Sequence, residues 1–168
     1  MDTFFEQIIP MRKSGKAIAG VIGIWFLAFI LTAILLLFPI LGSLNLLVIA
    51  GIIFGAFKLS TLFNVEYEYI ITNGTLDVDK ITNRSSRKRV LSLELPQTSR
   101  LEKFNPHMLQ TINAKQVVIA CNSGDDAYLL VSEKEGKGAS YLVFAPDERL
   151  RSAIVKFVPK FIANSAFK

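Results

Sequence analysis

Residues 17–57 read AIAGVIGIWFLAFILTAILLLFPILGSLNLLVIAGIIFGAF, a run of 41 residues without a charged side chain. The hydrocarbon core of a bilayer is about 30 Å thick and needs roughly 20 apolar helical residues to cross it. The run is long enough for two crossings, and Pro39 and Gly42 supply turn chemistry near its middle. Because lipid offers the backbone no other hydrogen-bond partner, both segments are predicted to be helices. We therefore expect an integral membrane protein with a transmembrane helical hairpin over residues 16–58.

The charges that flank the hairpin predict its orientation. Arg12, Lys13 and Lys16 precede the first span and Lys58 follows the second, whereas the turn carries no charge. Because Lys and Arg are enriched on the cytoplasmic side, both termini are expected in the cytoplasm, with the protein in the plasma membrane. The first span is longer than the apolar region of a signal peptide, so cleavage is not expected. Neither span holds an ionisable residue, which disfavours a transport pore.

Small residues recur at four-residue spacing in both spans. Gly51 and Gly55 form a GxxxG motif in the second span, and Ala19 and Gly23 form a similar pair in the first. Such spacing lets helix backbones approach closely in lipid. Two interpretations stay open: the helices of the hairpin pack on each other, or Gly51 and Gly55 support a homodimer.

The segments on either side of the hairpin are short. In residues 1–15, Phe4, Phe5, Ile8 and Ile9 share one face of a helix, which predicts an amphipathic segment on the membrane surface. The alternative is a frayed end, because Pro10 interrupts the pattern. Residues 59–64 form a connector that spans about 20 Å at most when fully extended, so the domain that follows is expected to stay near the bilayer.

Residues 65–168 have the pattern of one small β domain. Apolar and polar side chains alternate over residues 65–71 and again from Leu76, and Asn73-Gly74 between them is a strong hairpin-turn signal. The segment TNRSSRKR, residues 82–89, is predicted to be a polar loop. Further strands are predicted at residues 88–95, 101–104, 116–121, 127–133 and 139–144.

A helix is predicted at the end of the chain. Its apolar side chains follow the spacing of one helical face, Asp147 and Glu148 suit its first turn, and Pro159 limits it. The stripe consists of Leu150, Ala153, Ile154, Phe157 and Val158.

About seven short strands followed by one amphipathic helix resemble a pleckstrin-homology-like (PH-like) domain. The hairpin YIITNGTLDV (69–78) and the strand VLSL (90–93) are similar to the start of bacterial PH-type domains that follow transmembrane helices. The stretches MDTFFEQI, NVEYEY, DVDKI with RKR, and FAPDERL resemble a bacterial membrane protein family with two such helices and this domain. The resemblance implies an α+β fold: a two-helix hairpin, then a β-barrel of about seven antiparallel strands closed at one end by the C-terminal helix. It implies a binding role and brings no catalytic residues.

The composition gives little support to chemistry or nucleic-acid binding. The net charge of +5 is too small and too dispersed for a nucleic-acid partner. Cys121 is the only cysteine and reads as a buried small residue, and His107, the only histidine, reads as a turn residue. Asp77 and Asp79 share one strand face, where the nearby cations favour ion pairing over acid–base catalysis. No GxSxG, CxxC or HExxH motif is present, so no enzyme activity, cofactor or metal site is expected.

One basic patch supports a ligand hypothesis. Arg84, Arg87, Lys88 and Arg89 place four positive charges within six residues, and each could contribute roughly 1 kcal/mol near an anionic membrane surface. The alternative is a solvated loop that marks the cytoplasmic side. We expect a membrane-anchored, non-enzymatic adaptor that binds protein partners, with anionic lipid head groups as a further ligand. The alternative function is an accessory subunit of a membrane transport or cell-envelope complex.

Overall fold

The computed structural model describes residues 4–38, 42–110, 112, 117–134 and 138–167. Their contacts divide the chain into two compact units. The β unit comprises the described residues of the ranges 1–11, 66–81 and 87–168. The hairpin unit comprises those of the ranges 12–65 and 82–86. The apolar hairpin is thus inserted, in sequence, between the first strand of the β unit and the rest of it.

The elements follow one another in an order close to the predicted one. They are β1 (Phe4–Pro10), α1 (Gly15–Leu37), α2 (Asn45–Thr61), β2 (Val65–Thr72), β3 (Thr75–Thr82), β4 (Ser86–Glu94), β5 (Thr98–Lys103), β6 (Val117–Ile119), β7 (Tyr128–Lys134), β8 (Gly138–Phe144), α3 (Glu148–Phe157) and α4 (Lys160–Ala163). Short 3-10 helices lie at Gly42–Leu44, Leu95–Gln97 and Pro106–Gln110.

The ends of the two long helices are held by side chains. Ser14 caps α1, because its hydroxyl accepts a hydrogen bond from the Ala17 N–H at 3.2 Å. Asn45 begins α2 and donates from Nδ2 to the carbonyl of Leu35 at 2.8 Å. That carbonyl lies in the last turn of α1, where backbone acceptors lack intrahelical donors. Asn45 therefore joins the two helices at the turn, whose residues 39–41 lie outside the described part of the chain.

Both helical segments are long and apolar enough to cross a membrane. The candidate spans are Gly15–Leu37 and Gly42–Thr61, and only 6% of the most apolar stretch of each is buried. Within the described residues of α1 and α2, the buried side chains are those of Ala28 and Ala56. The helices are thus not the covered core of a folded domain, and they leave most of their apolar surface open.

The second helix is longer than predicted. It continues past residue 58 to Thr61, so the predicted connector 59–64 shrinks to residues 62–64. The hydroxyls of Ser60 and Thr61 donate to the carbonyls of Phe57 and Lys58 at 2.8 and 2.7 Å. Both hydroxyls thus bond back to backbone carbonyls three residues earlier, at the C-terminal end of α2.

The N-terminal segment differs from both alternatives of the sequence prediction. Phe4–Pro10 is neither a surface helix nor a frayed end, because β1 pairs antiparallel with β2 along its whole length. Its inward side chains Phe5 and Ile9 pack against the core, whereas Phe4 and Ile8 stay exposed. The predicted boundary at residue 15 is therefore wrong for the fold, since β1 belongs to the β unit.

Gln7 explains why a polar side chain can point inward from β1. Its Nε2 donates to the carbonyl of Ala145 at 3.1 Å, and its Oε1 accepts from the N–H of Asp147 at 2.8 Å. Both amide groups of the side chain are thus satisfied by the segment between β8 and α3. The bonds fix β1 to the opposite end of the chain.

The strands form two four-stranded sheets and not a closed barrel. The first sheet has the order β1-β2-β3-β4 and the second β5-β7-β8-β6. The second is mixed, because β6 and β8 run parallel from Val117↔Tyr141 to Ile119↔Val143. The prediction of about seven antiparallel strands in a barrel is therefore corrected. β1 adds a strand, β6 and β8 run parallel, and the two sheets do not close into a barrel.

The two sheets share one apolar core. The Asn73-Gly74 turn between β2 and β3 has positive φ at both residues, 48° and 92°, as the sequence signal predicts. The alternation on either side directs Tyr69 and Leu76 inward, and both are fully buried. The Tyr69 hydroxyl donates to the carbonyl of Ala120 at 2.5 Å, which ties the first sheet to the second. Burial is the main reason that the pKa of Tyr69 lies above its usual value.

Helix α3 covers one side of this core as predicted. Asp147 caps it, with its Oδ1 accepting from the Leu150 N–H at 2.7 Å. Leu150, Ala153 and Ile154 are buried, and the helix ends at Phe157, just before Pro159.

Candidate functional site

The four basic residues singled out in the sequence do not share a loop. Only Arg84 lies in the turn between β3 and β4, whereas Arg87, Lys88 and Arg89 belong to β4. The prediction of a polar loop over residues 82–89 is therefore wrong. The reason is that the arginines of β4 have carboxylate partners on β2 and β3 of the same sheet, which the sequence pattern does not show.

Arg87 forms a two-pronged ion pair with Glu68 of β2. Its Nη1 and Nη2 lie 3.0 and 3.1 Å from the two carboxylate oxygens. The Glu68 side chain is fully buried, while that of Arg87 is 55% exposed. Burial raises the pKa of Glu68 above its usual 4.5, a hydrogen bond with Glu6 adds to the rise, and the positive charge of Arg87 opposes it. Arg87 thus supplies the charge that lets a buried carboxylate remain on this sheet.

Arg89 bridges two carboxylates of β3. Its Nη1 lies 2.8 Å from Oδ2 of Asp77, and its Nε lies 2.9 Å from Oδ1 of Asp79. Asp79 is nearly buried, with 7% of its side chain exposed. The two aspartates share one strand face, as predicted, and the basic partner expected for them is Arg89. The hydrogen bond to Asp79 raises the pKa of Arg89.

These pairs change the interpretation of the basic patch. A cation whose charge is already offset by a carboxylate at 3 Å attracts a second anion only weakly. Two of the four predicted lipid-binding residues, Arg87 and Arg89, are therefore part of the internal charge network of the first sheet. Arg84 and Lys88 are exposed, Arg84 in the turn and Lys88 on β4.

The turn that carries Arg84 is attached to the connector after α2. The N–H of Asn83 donates to the carbonyl of Asn64 at 2.8 Å. Asn83 and Arg84 have φ angles of 54° and 55°, the left-handed region that side chains other than glycine and asparagine rarely adopt. Within the hairpin unit, the turn therefore lies beside the end of α2, with Arg84 in a fixed and uncommon backbone conformation.

The small residues of the two spans lie in different surroundings. A side chain added at Gly23 or Gly51 would meet no atom within 4 Å, and Ala19 is exposed. Gly55 lines a shallow groove between α1 and α2 of about 220 Å³, next to Ala28 and Ala56. The contact inside the hairpin thus uses Ala28 and Ala56. The faces around Gly23 and Gly51 are open.

The other residues considered for chemistry lie in the segments between β5 and β7. Cys121 is buried, as predicted, and burial raises the pKa of its thiol to about 11. His107 is exposed in a 3-10 helix, as predicted. Cys121 and Ile119 border an open pocket of about 350 Å³ beside the β6–β7 loop. Among the described residues, no group of three or more His, Cys, Asp or Glu side chains could hold a metal ion.

The arrangement defines a class of protein: a PH-like α+β domain of two open sheets and a C-terminal helix, carried by a pair of apolar helices. The family model of the bacterial PH-like domain, DUF6106, matches residues 1–164, and the chain belongs to this family. The resemblance noted in the sequence is thereby confirmed. Comparison with curated proteins and with solved structures finds no significant match.

Proposed function

We propose that the protein is a membrane-anchored, non-enzymatic interaction module. In this proposal α1 and α2 cross the plasma membrane, and the PH-like domain lies at its cytoplasmic face with both termini. The observation that carries it is the insertion of two bilayer-length helices, almost unburied, between β1 and the other strands of the domain. Removal of α1 by a signal peptidase would separate β1 from its partner strand, which argues against a cleaved leader.

Charge distribution supports the orientation. Arg12, Lys13, Lys16 and Lys58 flank the spans on the side of the domain, and the segment Gly42–Leu44 at the other end carries no charge. The free-energy cost of moving these cations across the membrane favours the arrangement with the domain inside.

Site-specific labelling tests the topology. In a Cys121→Ala background, Ser43→Cys places a thiol in the turn and Ser165→Cys places one near the end of the domain, and both positions are exposed. A membrane-impermeant maleimide is expected to label Ser43→Cys in intact cells, and Ser165→Cys only after permeabilisation. Labelling of Ser165→Cys in intact cells would overturn the topology, and loss of the protein from washed membranes would overturn the anchoring.

A protein partner is favoured by the exposed side of β1. This strand is at the edge of the first sheet, and its outward side chains Phe4 and Ile8 are 61% and 48% exposed. Edge strands with apolar outward side chains are surfaces on which another chain can add. A photo-crosslinking side chain at Ile8 is expected to capture a specific protein, whereas the same side chain at Ser99, exposed on edge strand β5, serves as the matched control. Equal capture at both positions would contradict a binding role for β1.

The second candidate function is an accessory subunit of a transport or cell-envelope complex, or a homodimer. The open helix faces at Gly23 and Gly51 favour it, because small residues allow another helix to approach. Oxidative cross-linking of Gly51→Cys in native membranes tests the dimer, with Ile53→Cys, exposed on the opposite face of α2, as the control. A cross-linked species of larger mass specific to Gly51→Cys would favour a heterologous partner.

A further inference from the structure

All of the net positive charge of the chain lies in the hairpin unit. Residues 12–65 and 82–86 contain five cations, and no Asp or Glu. The chain has nineteen Lys and Arg and fourteen Asp and Glu, so the β unit keeps fourteen of each and is formally neutral. We call the five cations the basic collar; they are Arg12, Lys13, Lys16, Lys58 and Arg84.

Contacts within the hairpin unit bring the collar to one end of the helix pair. Lys16 is in the first turn of α1 and Lys58 in the last turn of α2, so both lie in the half of the hairpin away from the Gly42–Leu44 segment. The Phe63 ring lies against Gly20 of α1, since a Cβ there would be only 2.9 Å from a ring carbon. The connector thus packs beside the start of α1.

The same connector also holds the fifth cation. Asn64, next to Phe63, accepts the hydrogen bond from Asn83 at 2.8 Å, which places Arg84 beside the helix ends. The Lys58 ammonium lies 5.6 Å from the centre of the Phe54 ring and has no carboxylate within its unit. Cations from α1, α2 and the β3–β4 turn therefore lie toward the same end of the helix pair, the end opposite the Gly42–Leu44 segment.

We propose that the basic collar binds the phosphate head groups of anionic phospholipids. The inference rests on the proposed membrane anchoring and moves the lipid contact away from Arg87 and Arg89, whose charges are offset on their own sheet. The acyl chains of a bound lipid lie along the open apolar faces of α1 and α2, while its phosphate lies against cations of the collar. A neutral head group gains nothing from this cluster, so the collar selects lipids by charge.

The single tryptophan allows this selectivity to be measured in the full-length protein. Trp25 is on α1, nine residues after Lys16, and is 42% exposed. In bilayers it should contact acyl chains, so brominated phosphatidylglycerol and brominated phosphatidylcholine quench its fluorescence in proportion to their occupancy. We expect a ratio of association constants of about five in favour of the anionic lipid at low salt, which corresponds to about 1 kcal/mol. High salt should bring the ratio toward one.

The variants separate the collar from general charge effects. Combined Lys16→Gln, Lys58→Gln and Arg84→Gln substitutions are expected to bring the ratio to about one. Arg100→Gln, which removes an exposed cation from β5, is expected to leave it unchanged. If Arg100→Gln loses the lipid preference equally, lipid binding by the collar is refuted. The same holds if the wild type shows a ratio near one with normal quenching, and in both cases the anchoring stands.

Two further outcomes have distinct meanings. If neither brominated lipid quenches Trp25, α1 is not in the bilayer, and the proposed function itself fails. If added glycerol phosphate abolishes the preference, the collar binds a soluble phosphate, and the assignment to lipid is overturned. The expected result is quenching by both lipids, a preference for the anionic one, and no effect of glycerol phosphate.

Discussion

The position of β1 before the hairpin makes truncation a sharp test of the fold. A fragment of residues 60–168 contains the strands predicted from the sequence and omits β1. In the structure, this fragment exposes one edge of β2 over the seven paired residues from Thr72 to Glu66. It also uncovers the core where Phe5 and Ile9 pack. We expect it to be strongly destabilised and prone to aggregate in water.

The magnitude follows from the contacts that are lost. Phe5 and Ile9 are half-buried, which is worth about 1 kcal/mol each. The two hydrogen bonds of Gln7 contribute about 1 kcal/mol each. The loss of about 4 kcal/mol, before any contribution of the strand ladder, lowers the folding equilibrium roughly a thousandfold. A domain of this size is stable by only about 5–15 kcal/mol.

The matched control restores β1 without the membrane helices. Pro10 lies opposite Glu66 in the β1–β2 register, so residues 12–64 can be replaced by Asn-Gly, a two-residue hairpin turn. This relinked variant should be soluble and unfold cooperatively on heating, as followed by circular dichroism. If the fragment of residues 60–168 melts cooperatively within a few degrees of the relinked variant, β1 is not part of the folded domain and the reasoning is wrong.

Three further predictions can be checked by thermal or denaturant unfolding of the relinked variant. Arg87→Ala should destabilise it by about 3 kcal/mol at neutral pH, because Glu68 is left buried without its cation. Since the pKa of Glu68 is raised above 4.5 in the folded state, Glu68 becomes protonated in the fold before the pH reaches 4.5, so this penalty should shrink as the pH falls from neutral toward 4.5; a constant penalty would contradict the assignment. Hydrogen bonds from Lys103 and Arg151 lower the pKa of Asp126 from 3.8 to about 2, so its stabilisation is present above pH 3.8 and lost toward pH 2. Asp126→Asn should therefore differ from the parent at pH 6 and match it at pH 2. Asp147→Ala removes the cap of α3 and should cost about 1 kcal/mol, and Asp147→Asn should recover most of it.

Local signals predicted most of the fold correctly. The Asn73-Gly74 turn is independent of its surroundings, because the left-handed conformation it needs is intrinsic to these two residue types. The helical stripe of α3 and the acidic residues at its start are likewise local signals, and the structure adds that Asp147 is the cap. The apolar run predicted two helices because its composition leaves few alternatives.

The errors arise where partners are distant in the sequence. Phe4, Phe5, Ile8 and Ile9 fit a helical period as well as a strand period, and the deciding feature is the pairing of Gln7 with a segment 138 residues later. Arg87 and Arg89 suggest a solvated loop in isolation. Their strand placement is explained by carboxylates on β2 and β3, which become neighbours only when the sheet forms. The division of the strands into two open sheets also depends on strand pairing, which composition does not report.

The order of β1, hairpin and β2 has a consequence for release of the domain by proteases. In most anchored proteins a single cut in the linker frees the extramembrane part. Here residues 11–14 form one link to the helices and residues 62–64 form the other. After a cut at residues 11–14 the domain is still joined to α2 through residues 62–64, and after a cut at residues 62–64 it is held by the pairing of β2 with β1, which is still joined to α1. In the proposed anchored state, shedding therefore requires two cleavages, or one cleavage at residues 62–64 and the unpairing of the seven-residue strand β1.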